Sequence, residues 1–248
     1  MEFCTDETLA YAGSRHAFAA GRPFALGADY RLAHLPLVAP GHPEAIASVD
    51  GRDYLNGRYA TARDALCVRV SADLLEAAPA FREIEAALRA SRFARKIAWD
   101  IGPRRRDVLH ATVAGPADAA TTARTAAATA AFVRRHGPVA FRLGGPFVGN
   151  RNHGRVYLPV YPQILDGDDA FGLLLDACGR PRTRFYAAGI WHLRDGLDAD
   201  EAASLGALVD KWSGREILRV PEARFGILSV NDDLALDGAT WRWIDSRG

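Results

Sequence analysis

Leu109-His110-Ala111-Thr112-Val113 and Trp191-His192-Leu193-Arg194 are the two stretches that decide how this chain folds. In each, a histidine sits among apolar residues and a polar residue follows two positions on. In a strand, side chains i and i+2 share a face. His110 and Thr112 are therefore expected on one face, with Leu109, Ala111 and Val113 turned into a core. His192 and Arg194 are expected to form a second such pair. Two strands of this kind, side by side, would gather two imidazoles, a hydroxyl and a guanidinium around one small anionic group.

Outward from these stretches the pattern is mixed. Residues 66–70 read as a strand and 79–92 as a helix, with Phe81, Ile84, Ala87 and Leu88 at helical spacing. Residues 96–99 read as a short strand and 103–107 as a loop leading into the first histidine strand, 108–113. Gly115-Pro116 closes that strand, and the alanine-rich 118–135 is helical by propensity. Residues 139–143 and 155–162 read as strands on either side of the turn 149–154. A helix over 168–178, the second histidine strand over 185–193 and a helix over 199–212 follow. Strands over 216–220 and 223–230 and a closing strand within 234–243 complete the chain. Each half carries a histidine strand, a helix and more strand, which predicts an α+β fold. Residues 1–64 are rich in glycine and proline and weakly periodic, so they read as an extension packed on a domain over 65–248.

The 248 residues are 25% charged and 49% hydrophobic, as in ordinary globular proteins. Thirty-one basic against 30 acidic residues leave a formal net charge of +1, which argues against coating long duplex nucleic acid through a basic face. A small nucleotide or an RNA end remains open as a partner. Cys4, Cys67 and Cys178 are odd in number and widely spaced, so they suggest neither a disulfide framework nor a zinc site. No apolar run approaches the ~20 residues of a membrane span. The start of the chain has no basic, apolar leader. A cytoplasmic location is the expectation; oligomeric state is not readable.

The two motifs, with the run Phe93-Ala94-Arg95-Lys96-Ile97-Ala98-Trp99 before the first and Phe225-Gly226-Ile227-Leu228-Ser229-Val230 near the end, resemble the two-histidine phosphoesterase superfamily, the 2′-5′ RNA ligase and cyclic phosphodiesterase group. The resemblance covers roughly 65–245. His110-Ala111-Thr112 matches its His-x-Thr/Ser pattern; His192-Leu193-Arg194 departs from it, with arginine in place of threonine or serine. What it implies is a bilobal fold of two pseudo-symmetric antiparallel lobes with outer helices and a central cleft. It also implies a metal-independent hydrolase of cyclic phosphates or 2′-linked nucleotides, without a cofactor.

The chemistry suits these residue types. In-line opening of a cyclic phosphodiester needs a base for water and an acid for the departing oxygen. Histidine serves as either near neutral pH. Thr112 would donate to a non-bridging oxygen, and the planar fork of Arg194 would do so with charge. A nearby Arg194 would favour neutral His192, which casts His192 as base and His110 as acid. Arg194 is either a stronger phosphate clamp or the mark of a decayed half-site. The second alternative makes the protein a catalytically reduced nucleotide- or RNA-end-binding relative; a third leaves both histidines structural. Arg106, from the run Arg104-Arg105-Arg106, and Tyr157 and Tyr161, alternating on one strand, are candidate substrate contacts. No histidine stands at metal-site spacing.

Overall fold

The computed structural model describes residues 1–48 and 53–244. Most strands belong to two antiparallel sheets. The strands are β1 (Arg63–Arg69), β2 (His110–Ala114), β3 (Phe141–Gly144), β4 (Arg155–Pro162), β5 (Ala187–His192), β6 (Glu216–Val220), β7 (Phe225–Val230) and β8 (Thr240–Trp243). The first sheet runs β8-β7-β1-β2 and the second β5-β4-β3-β6, with Phe147–Val148 also paired to β4. The helices are α1 (Ala28–Ala33), α2 (Ala72–Ala77), α3 (Pro79–Arg89), α4 (Ile101–Arg105), α5 (Ala119–His136), α6 (Ala170–Ala177) and α7 (Ala199–Trp212), with a single turn at Leu35–Val38. The fold is α+β. The two histidine strands, β2 and β5, are edge strands of different sheets and approach one another.

Local chemistry sets the long helices. Asp118 caps α5 by accepting from the Thr121 N–H at 2.8 Å, and Gly137, at φ 78°, ends it in the left-handed region that glycine adopts without strain. Asp198 and Glu201 close a reciprocal capping box at the start of α7. The side chain of Glu201, only 5% exposed, also accepts from Lys96 at 2.6 Å.

Two stretches differ from the sequence expectation. Residues 96–99 form no strand: Ala94–Lys96 is a 3-10 turn, closed by the Trp99 indole N–H on the Ala94 carbonyl, and Ile97 makes a single bridge to Leu193. Residues 103–107 are not a loop, because α4 runs through Arg105 and a 3-10 turn follows at Arg106–Val108. Pro103 lies in the first turn of α4, where its missing N–H costs little. Ile101 and Arg105, four apart on that helix, are both buried, while Arg104 and Arg106 face outward.

The chain before β1 lies against the second sheet and its neighbours. Phe24 bridges Leu197, Arg15 bridges Gly149, and Tyr11, Tyr30 and Leu35 are fully buried. The Tyr30 hydroxyl donates to the Leu193 carbonyl at 2.5 Å. The Leu193 N–H on the Gly154 carbonyl is the last bond to the β4 side; the Tyr30 bond and the Arg194 N–H on the Lys96 carbonyl then draw the chain away, and β5 ends at His192.

Candidate functional site

Side chains alternate along β2: Ala111 and Val113 are buried, while His110 and Thr112 stand on the open face. Register places Cys67 opposite Thr112 and Arg69 opposite His110. This face forms one wall of a cavity of about 240 Å³ between the sheets. Arg155, Tyr157 and Gly189 line the other wall, and Asp233 lies at its side.

His110 is held in one tautomer. Its Nδ1 is 2.8 Å from the Val108 carbonyl, which only accepts, so Nδ1 carries the proton and Nε2 keeps a lone pair. Burial pushes its pKa down to about 3, and the positive charges of Arg105 and Arg155 act in the same direction. At neutral pH the ring is a neutral base.

Arg155 lies across Gly189. A Cβ at that glycine would fall 2.8 Å from both Cζ and Nη2 of the guanidinium, so only glycine leaves the side chain its place. The Nε of Arg155 is buried without a partner, and no carboxylate among the described residues lies within ion-pair reach of the guanidinium.

His192 stands opposite Arg155 in the β4–β5 pairing but does not line the cavity. It has no exposed surface. Arg105 Nη1 sits 2.8 Å from its Nε2 and donates also to the Gly189 carbonyl at 2.8 Å. A guanidinium only donates, so Nε2 accepts and the proton is on Nδ1, a buried atom with no partner. Burial, then Arg105, Arg155 and His34, holds the pKa of His192 well below the ordinary histidine range. The cation at His192 is thus Arg105, from the run in which the sequence had singled out Arg106. Arg194 turns to the surface and pairs with Asp100, because β5 ends before it.

Arg105 is 2% exposed, and its Nε and Nη2 are buried and unpartnered. Burial lowers its pKa to about 9, with Arg155 adding to the effect. His34, from the N-terminal chain, is also 2% exposed with neither ring nitrogen bonded; burial, Arg155 and Arg105 keep it neutral.

Of the residues singled out from sequence, His110, Thr112 and Tyr157 come together in the cavity. Tyr161 does not: its hydroxyl donates to Asp6 and its ring lies under Arg142 at 4.1 Å. Arg106 pairs with Asp73 and Glu76 outside the cleft. Arg105, Arg155, Gly189 and His34 were not singled out from sequence. Only the four-residue spacing of Ile101 and Arg105 on a helix offered a signal for any of them. Among the described residues, no group of three or more His, Cys, Asp or Glu side chains is placed to hold a metal ion.

No protein-family model matches the chain, and no curated protein matches it.

Proposed function

We propose that the cleft between the sheets binds a phosphate ester, a cyclic phosphate or a 2′-linked nucleotide or RNA end, and that His110 is its one working histidine. The supporting observation is a neutral imidazole and an uncompensated guanidinium on opposite walls of one cavity. The Arg155 guanidinium is half-buried and has no counter-charge among the described residues, and its planar fork suits the oxygens of an anionic ligand. Thr112 and Arg155 would donate to the non-bridging oxygens. Two antiparallel sheets, each offering its histidine strand as an inner edge, support the bilobal two-histidine architecture as part of the same proposal.

In this arrangement water attacks phosphorus and gives its proton to His110 Nε2. The bond to the ribose oxygen breaks, and that oxygen takes a proton from solvent. A positioned proton transfer is worth ~10²–10⁴ in rate when the base titrates near the working pH. His110 sits at about 3, and the negative charge of a bound phosphate ester would raise it. A site with one such group turns over correspondingly more slowly than a site with two.

A second reading, binding without turnover, is favoured by the position of His192, whose Nε2 is occupied by Arg105 behind the cavity wall. The assay is turnover and binding of 2′,3′-cyclic nucleotides in the presence of a chelator. Turnover lost in His110→Ala and kept in His192→Gln supports the one-histidine site. Equal loss in both supports a two-histidine reaction in which Arg105 swings aside. Binding without turnover, abolished by Arg155→Met, supports the second reading. Neither binding nor turnover by the folded protein refutes the site.

A further inference from the structure

A second cavity, of about 310 Å³, lies against the opposite face of β5. This size is at the lower end of ligand pockets, ~300–1,000 Å³. Its walls are aromatic and aliphatic. Phe81 and Trp191 stack with centroids 5.4 Å apart and planes at 14°, and Trp99, Leu75, Leu109 and Ile190 complete the lining. The rim carries Glu76, paired with Arg106, and Glu85, paired with Arg89. Those charges cancel. The remaining charged side chain in the lining is Arg105.

Arg105 is a buried cation with no carboxylate in ion-pair contact among the described residues. Its Nη1 is committed to Gly189 and His192. The two donors left over, Nε and Nη2, are those that share one edge of the planar guanidinium. That edge matches the two oxygens of a carboxylate.

We propose that this cavity binds a small, flat, apolar monoanion of the aryl carboxylate class. Its ring lies against Trp99 and the Phe81–Trp191 pair, and its carboxylate takes the Nε and Nη2 edge of Arg105. Both donors are closed to solvent, so the lining side chains part to admit the acid. The single uncancelled positive charge sets the ligand's charge, and the aromatic walls set its shape. A dianion would bring one charge that nothing in the lining answers, and a neutral ring would leave Arg105 uncompensated.

The test is titration of the full chain with 1-naphthoate and with its neutral analogue 1-naphthalenemethanol, read by tryptophan fluorescence and by Tm. Saturable binding of naphthoate at least about tenfold tighter than the alcohol is expected, since a hydrogen bond to a charged group is worth ~1.5–3 kcal/mol. Ile190→Trp puts a larger ring into the cavity with Arg105 itself unchanged and should abolish naphthoate binding. Arg105→Met should remove the preference for the acid. Arg155→Met disables the cleft and should leave naphthoate binding unchanged, so this site stands or falls separately from the phosphate site. Equal affinity for acid and alcohol, no saturable binding, or binding that survives Ile190→Trp would each overturn the proposal.

Discussion

Acidification from about pH 7.5 to about pH 5.5 should destabilise the fold by about 4 kcal/mol, through three histidines alone. His34, His110 and His192 are neutral in the folded chain, kept so first by burial and then by the neighbouring arginines. Each regains the ordinary histidine pKa of ~6.5 when the chain unfolds. Below that value the unfolded chain binds a proton that the folded chain refuses, so stability falls as pH falls. The loss per histidine is RT ln(1 + 10^(6.5 − pH)), about 1.4 kcal/mol at about pH 5.5 and under about 0.1 kcal/mol at about pH 7.5. Three give about 4 kcal/mol, against ~5–15 kcal/mol for a whole domain. His16, whose pKa burial also lowers, acts in the same direction. For His110 the loss levels off near its folded pKa of about 3. Most carboxylates titrate lower; Asp169, whose pKa burial raises, acts in the opposite direction to the histidines. Urea unfolding at the two pH values measures the effect. Each single His→Gln variant should remove about a third of the pH-dependent difference, whatever its own cost. A wild-type loss below that of one histidine, or three variants that all keep the wild-type slope, would refute neutral burial.

Other consequences are as direct. Gly189→Ala puts a methyl group where the Arg155 guanidinium lies and displaces it; it should weaken cyclic-nucleotide binding by about tenfold or more with little change in denaturant midpoint, and unchanged affinity would clear Arg155 of a binding role. Lys96→Met leaves the buried Glu201 carboxylate unpaired and should cost about 3–5 kcal/mol by the same measurement. Tyr30→Phe deletes the hydroxyl that holds the Leu193 carbonyl; a loss of about 1 kcal/mol is expected from thermal unfolding. Asp198→Ala opens the capping box of α7 at a cost of about 1 kcal/mol, read as a fall in urea midpoint without a change in slope.

Half of the site was legible in the sequence, and the physical reason is regularity. β2 pairs in regular register from His110 to Thr112, and its own irregularity comes only after Thr112, so period two puts both on one face with Ala111 beneath. The α+β class and the long helices follow from equally local signals, such as Asp118 and Asp198 at their caps. The other half fails where period two fails. The register of β5 against β4 shifts between Gly189 and Trp191, and the bonds from the Tyr30 hydroxyl to the Leu193 carbonyl and from the Arg194 N–H to the Lys96 carbonyl end the strand at His192. Arg194 therefore never shares a face with the histidine. Arg105 was hidden for another reason. In a run of three arginines nothing marks the inward one until the segment is known to be helical, and Pro103 argued against that. His34 lies in a stretch with no periodicity to read. Only the tertiary packing of Tyr30 and its neighbours brings it against the guanidiniums.

The one extra residue in β5 has a wider reach than the pairing it interrupts. Because Ile190 is accommodated without a partner on β4, two consecutive bulky side chains, Ile190 and Trp191, look the same way, and the imidazole after them returns to the Arg155 side. An insertion or deletion of a single codon here would re-deal both hollows at once, trading the hydrophobic lining of one for the cationic backing of the other. The bulge is therefore a point at which this scaffold can change what it binds in one mutational event, with the remaining strands of either sheet left as they are.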